Sequence, residues 1–199
     1  MKLVLATQNK DKVKEIKNLL SDLKIQILTL DKFKPISKLK ETGQTLEENA
    51  LQKADQVYKL TKLPVLADDS GLEVDYLKGK PGVRSSRFAG EKATYLDNNL
   101  KLLKLLKNVP FRKRKARFRC VMALMLSDKK AKFLEGNISG YIATERKGKS
   151  GFGYDPLFYI PKLQKTFAQL SLKQKNEISH RAKALEKVKK YLQSLTSRK

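Results

Sequence analysis

Leu66-Ala67-Asp68-Asp69-Ser70-Gly71-Leu72 closes an apolar run that begins at Pro64 and sets two adjacent carboxylates at its end. A short apolar run that breaks into Asp-Asp-Ser-Gly reads as a buried strand, Pro64–Ala67, delivering its last residues into a crevice, where α/β sheets place ligands. Two neighbouring carboxylates in a basic chain can share a hard divalent cation, because Mg²⁺ takes oxygen ligands and pairs one or two carboxylates with phosphate oxygens. The competing reading is a solvated Asp-Ser-Gly turn.

Working toward the N-terminus, Thr45 opens a helix with a capping box to Glu48, and Leu46, Ala50, Ala54, Val57 and Leu60 supply its apolar face. Lys53 falls near that face, either snorkelling or aimed at a phosphate. Ile25–Leu30 reads as a strand, followed by a polar connection through Pro35. Lys2–Ala6 reads as a first strand, and after Thr7-Gln8-Asn9 a helix carries Val13, Ile16, Leu19, Leu20 and Leu23 on one face. Strand, polar elbow and helix make a phosphate-site geometry, since the helix start offers backbone N–H groups and a positive end. Lys10 and Lys12 stand in that first turn, the wrong end for a cation unless an anion is present; the alternative is an ordinary cap with solvated lysines.

Toward the C-terminus, Gly79–Arg87 is broken by glycine and proline and reads as loop, and Ala93–Leu106 as a helix with Leu96, Leu100, Leu103 and Leu106 at helical spacing. Ala116–Leu126 and Lys132–Ala143 form a hairpin-like pair around Ser127–Lys130. Gly148–Pro156 is a second glycine-rich loop, and Ser171, with Gln174, starts a last helix running to about Leu195. The expected fold is α/β, a mixed sheet flanked by helices in one domain over residues 1–199.

The formal charge is +24, which favours polyanionic partners such as nucleotides, but the lysines are spread along the chain. The one dense block is Arg112-Lys113-Arg114-Lys115, followed by Arg117 and Arg119 in alternation, which in a strand point to one face. That face is either a solvated ribbon or a polyanion groove. A single cysteine, Cys120, excludes a disulfide framework, and one histidine with one cysteine cannot build a zinc site. No run has signal-peptide character or membrane-spanning length, so a cytoplasmic protein without a membrane partner is expected. Gly148-Lys149-Ser150 is not a Walker A loop, because Ala143 stands where its first glycine belongs. Ser70 lacks a nucleophile-elbow spacing, which sets aside a Ser-His-Asp hydrolase built on His180.

Taken together, Thr7-Gln8-Asn9-Lys10-Asp11-Lys12, Glu41-Thr42-Gly43, Glu48-Asn49-Ala50, Lys53-Ala54, Ala67–Leu72, Pro81-Gly82-Val83, Gly151–Pro156 and Ile178-Ser179-His180-Arg181, in this order and spacing, strongly resemble the inosine triphosphate pyrophosphatase family. The resemblance runs from Lys2 to the last helix. It implies hydrolysis of non-canonical purine nucleoside triphosphates (ITP, dITP, XTP) to the monophosphate and pyrophosphate. It also implies Mg²⁺ as cofactor, a homodimer, and an elongated two-lobed fold with a central cleft.

Carried over residue by residue, the resemblance has Thr7, Gln8, Asn9, Lys10, Asp11 and Lys12 cradle the triphosphate, with Lys53 adding charge. Asp69 is implied as general base and metal ligand, supported by Asp68, and Ser70 as a nucleotide contact. Phe152, Gly153, Tyr154 and Asp155 would line the base pocket, with Phe152 stacking. Lys175, His180 and Arg181 would meet the base and hold its 6-oxo edge. Many relatives carry an acidic residue just before the position of Glu41, where this chain has Lys40; Glu41 is the second metal carboxylate expected here. Two other readings stand beside this one. A nucleic-acid-binding protein would use the Arg112–Arg119 ribbon, although the paired aspartates and glycine loops have no work in such a binder and no stable nucleic-acid partner is expected. A pyrophosphatase for modified pyrimidine nucleotides would keep the chemistry and change the base.

Overall fold

A computed structural model describes residues 1–33, 39–127 and 131–196. The connection through Pro35 and the turn residues Asp128, Lys129 and Lys130 lie outside them. The strands follow the order β2-β1-β3-β5-β6-β7-β8, with β4 on β3. The strands are β1 (Lys2–Leu5), β2 (Gln26–Leu28), β3 (Val65–Val74), β4 (Pro81–Gly82), β5 (Lys115–Met125), β6 (Ala131–Ile142), β7 (Phe158–Ile160) and β8 (Lys165–Thr166). The mixed α/β sheet is as expected, and the chain divides into two compact units.

The first unit comprises Met1–Asp69, Cys120–Gly136 and the chain from His180 onward. Here β1 pairs in parallel with β2, Leu3 opposite Ile27, and with β3, Leu5 opposite Leu66. Parallel neighbours need crossovers, which α1 (Lys10–Leu19) and α2 (Leu46–Thr61) supply. The core gathers Leu3, Leu5, Ile16, Leu20, Leu66, Met122, Leu124, Leu185 and Val188, the last two from α5 (His180–Thr196). Each such side chain contributes about 1.5–3 kcal/mol on burial.

The second unit comprises Ser70–Arg119 and Asn137–Ser179. The end of β3 pairs antiparallel with β4, Leu72 opposite Gly82, and β7 pairs antiparallel with both β6 and β8. Its core joins Leu72, Leu102, Leu106, Phe118, Phe158 and Phe167, with the rings of Phe118 and Phe158 4.6 Å apart. Arg114, from the basic block, is buried and donates to the carbonyls of Val109, Ala143 and Leu106 at 2.6–3.1 Å. The alternation along β5 holds: Arg117 and Arg119 both reach Glu73 while Ala116 and Phe118 face the core.

Several elements differ from the sequence-based expectation. β3 does not stop at Ala67; it runs through both aspartates to Val74, because both carboxylates find cationic partners and can be buried in a strand. Short β4 and a 3₁₀ turn at Ser85–Arg87 lie within the expected loop. Thr45 caps the Glu48 amide, but Glu48 accepts from the Gln44 amide, so the box is only half made. α3 (Tyr95–Leu105) buries Asn98, Asn99 and Leu102, while Leu96 and Leu100 are exposed. The last helix is two: α4 (Leu172–Ile178) ends at Ser179, whose extended backbone (ψ 157°) is of the kind that precedes a new helix, and α5 follows.

Candidate active site

In the first unit, Asn9 caps α1, its Oδ1 accepting from the amides of Asp11 (2.9 Å) and Lys12 (3.1 Å), while the Thr7 hydroxyl accepts from the Asn9 amide. The cap therefore exists, and the anion facing the misplaced Lys12 is Asp68: Lys12 Nζ lies 2.5 Å from Asp68 Oδ1. The other carboxylate oxygen of Asp68 accepts from Arg181 Nε at 2.7 Å. Arg181 also pairs with Glu15 of α1, and Asp68, Arg181 and Glu15 are all buried. Burial alone would raise the Asp68 carboxyl, but Arg181 and Lys12 outweigh it and hold it well below the usual carboxylate range. Burial likewise disfavours the Arg181 cation, yet Asp68 and Glu15 hold its pKa well above the ordinary value.

Asp69 is held from α2. Lys53 Nζ sits 2.7 Å from Asp69 Oδ1, 2.7 Å from Glu41 Oε1 and 2.8 Å from the Asp68 carbonyl. Lys53 is only 3 % exposed, so it does not snorkel; it points at carboxylates. Asn49, one turn earlier on α2, donates to Asp69 Oδ2 at 3.4 Å and accepts from the Gly43 amide, tying the Glu41–Gly43 segment to the same place. Burial pushes the Asp69 carboxyl above its ordinary value despite the Lys53 charge. Among the described residues no group of three or more His, Cys, Asp or Glu side chains is arranged to hold a metal ion. Asp69 and Glu41 nevertheless converge on one cationic nitrogen, and two hard carboxylates are the protein share that suits Mg²⁺ when phosphate oxygens complete its shell.

In the second unit, Asp155 and Lys175 form a buried pair at 2.5 Å, and Asp155 Oδ2 also accepts from the Phe152 amide at 2.9 Å. Lys175 Nζ lies 4.7 Å from the centre of the Phe152 ring. Gly151 has φ +76°, and a Cβ there would stand 2.1 Å from Asp155 Oδ2, so only glycine lets the loop close on that carboxylate. Tyr154 is buried, its hydroxyl donating to the Ser85 carbonyl, which ties this loop to the 3₁₀ turn at Ser85–Arg87. Ser70, on β3, is half-buried.

The structure thus brings together Lys12, Lys53, Glu41, Asp68, Asp69 and Arg181 in one unit and Phe152, Asp155 and Lys175 in the other. Lys175 ends up in α4 and His180 and Arg181 in α5, and the partners of the Arg181 guanidinium include Asp68 and Glu15.

Residues 3–191 match the sequence profile of the Ham1 family. The chain belongs to the Ham1 family. It is 50% identical over 195 residues to the dITP/XTP pyrophosphatase of Desulforamulus reducens, covering 98% of this chain and 97% of that one. With the protein of the same name from Thermoanaerobacter pseudethanolicus it shares 48% over 192 residues, 96% of each. Among solved structures, a HAM1 protein from Coxiella burnetii superposes with a TM-score of 0.89 at 44% identity, covering 98% of this chain and 99% of the other.

Within this Ham1 chain, Glu15 and Asn99 belong to the charged and hydrogen-bonded surroundings of these clusters, yet no motif pointed to them. Glu15 lies on α1 one turn after Lys12, and a single acid among lysines carries no local signal. A buried helix position holding Glu, paired with a distant Arg, becomes legible only when both are seen at 166 residues' separation.

Proposed function

We propose that the chain hydrolyses non-canonical purine nucleoside triphosphates (ITP, dITP and XTP) between the α- and β-phosphates, releasing the nucleoside monophosphate and pyrophosphate. The observation that carries this reading is Asp69, a nearly buried carboxylate with a raised pKa, flanked by Lys53 and Glu41, in a chain about half identical to proteins named dITP/XTP pyrophosphatase. A carboxylate shifted upward by burial is a stronger base than an exposed one. In the proposed step Asp69 accepts a proton from water as the water oxygen bonds to the α-phosphorus. The bond from that phosphorus to the bridging oxygen breaks, and its electron pair leaves with pyrophosphate. Phosphoryl chemistry of this kind asks for positioning and charge stabilisation more than for a covalent nucleophile.

Lys12 and Lys53 supply positive charge beside Asp69, and the N-terminal end of α1, with Thr7, Gln8, Asn9, Lys10 and Asp11, supports the phosphates through its positive end. Asp69 and Glu41, with Asp68 adjacent, would hold Mg²⁺, which when bound withdraws charge from the phosphate oxygens. Ser70 contacts the nucleotide in this reading. Phe152 stacks on the base, Gly153, Tyr154, Asp155 and Lys175 line its pocket, and His180 and Arg181 hold the 6-oxo edge. The protein is read as a homodimer working in the cytoplasm, where the nucleotide pool is. The test is pyrophosphate release from dITP, XTP, dATP, dGTP and dTTP side by side with Mg²⁺: release confined to dITP and XTP supports the reading, and equal rates on all five overturn it.

A further inference from the structure

α3 carries two adjacent asparagines on its buried face while leucines 96 and 100 of the same helix are exposed. Asparagine is a poor residue for a helix interior, so its burial in place of leucine asks what the amides bond. Asn98 answers for one loop: its Oδ1 accepts from the Ala89 amide at 2.7 Å and its Nδ2 donates to the Ser86 carbonyl at 3.1 Å. Asn99, 1% exposed, answers for another. Its Nδ2 donates to the Gly153 carbonyl at 2.8 Å and to the Tyr95 carbonyl at 2.5 Å, one turn back on α3. Its Oδ1 is buried without a hydrogen-bond partner. The amide is thus used for its donor alone, at the expense of an unsatisfied acceptor.

The atom it holds belongs to the loop that Asp155 also ties, through the Phe152 amide. Gly151 and Gly153 both have positive φ, +76° and +61°, and between them stands Phe152. The Phe152 ring meets Tyr95 at 6.0 Å between centroids and Lys175 Nζ at 4.7 Å. α3 therefore grips this loop twice, by the Asn99 amide on the Gly153 carbonyl and by the Tyr95 ring on Phe152.

We infer that Asn99 is a positioning residue for nucleotide-base binding: it fixes the Gly153 carbonyl and thereby the plane of the Phe152 ring. This rests on the reading of Phe152 as the stacking residue. The experiment measures inhibition of dITP hydrolysis by two products, dIMP, which carries the base, and inorganic pyrophosphate, which does not. Asn99→Leu should weaken dIMP inhibition about tenfold, the worth of roughly one hydrogen bond, and leave pyrophosphate inhibition within about twofold of wild type. Asn99→Ala, which only deletes atoms, is the second variant should the leucine fail to fold, with the same expectation. Unchanged dIMP inhibition, or equal weakening of both inhibitors, overturns the inference. Phe152→Ala separates the two levels: if it leaves dIMP inhibition intact, the stacking assignment itself fails, whereas weakened dIMP inhibition in Phe152→Ala with none in the Asn99 variants removes Asn99 alone.

Discussion

Replacing Asp68 by asparagine keeps the shape of the side chain and removes one negative charge from between two cations. Lys12 Nζ lies 2.5 Å from one carboxylate oxygen and Arg181 Nε 2.7 Å from the other, and Arg181 is 1% exposed. At an effective dielectric of 20, unit charges 4 Å apart attract by about 4 kcal/mol. Breaking a buried pair by neutralising one member costs roughly 3–5 kcal/mol, because the partner stays buried. With a urea slope near 3 kcal/mol/M, the upper end for small domains, the unfolding midpoint at pH 7 should fall by about 1–1.7 M, followed by circular dichroism. The pH dependence has a definite sign. The Asp68 carboxyl is held well below its ordinary 3.8 in the folded chain, so its contribution is fully present above that value and is lost as the pH falls from 3.8 through the folded pKa. The gap between wild type and Asp68→Asn should therefore narrow only below pH 3.8. A midpoint shift under about 0.2 M at pH 7 refutes the assignment of Asp68 as the anchor of these cations, since at that slope it is well under 1 kcal/mol.

Asp69→Asn should reduce kcat for dITP at least about 10²-fold while nucleotide binding persists, and retention of more than a tenth of the activity would show that Asp69 is not the base. Lys53→Met should raise KM and lower kcat together, whereas Lys149→Ala, at an exposed position, should leave both unchanged; matching kinetics for the two would strip Lys53 of its role. Arg181→Ala distinguishes two tasks: if the guanidinium reads the 6-oxo acceptor, the dITP over dATP ratio of kcat/KM collapses, and if it only braces Asp68, activity and stability fall while the ratio holds.

The parts of the fold that depend on near neighbours were legible in the sequence. Lys2–Ala6 followed by Thr7-Gln8-Asn9 announced a strand, an elbow and a capped helix, and Asn9 caps as its residue type favours. What escaped depends on partners far along the chain. β3 was cut short at Ala67 because adjacent aspartates look soluble until Arg181, 113 residues away, is seen to neutralise one of them. The leucine spacing of α3 gave the right helix and only part of its buried side: Leu106 lies in the core and Leu103 packs against it, while Leu96 and Leu100 are exposed, since a period says nothing of which stripe meets the core. Ser171–Leu195 read as one helix because Ser179 is no breaker by propensity; only its extended backbone separates α4 from α5. Among the buried polar residues, Lys53 and Asp69 stood out by charge and position, while Glu15 and Asn99 gave no local sign.

The first unit is assembled from three separate stretches of chain, and the last of them carries Arg181. During synthesis, Lys12 and Asp68 leave the ribosome long before their third companion does. Until α5 follows, Asp68 is without that cation and the apolar faces of α1 and β5 lack Leu185 and Val188. The second unit closes with Ser179, one residue earlier than α5 begins. Its halves can therefore meet first, and the Asp68 cluster becomes complete only once residue 181 has been made, so a nascent or prematurely ended chain holds Asp68 with one of its two cations missing.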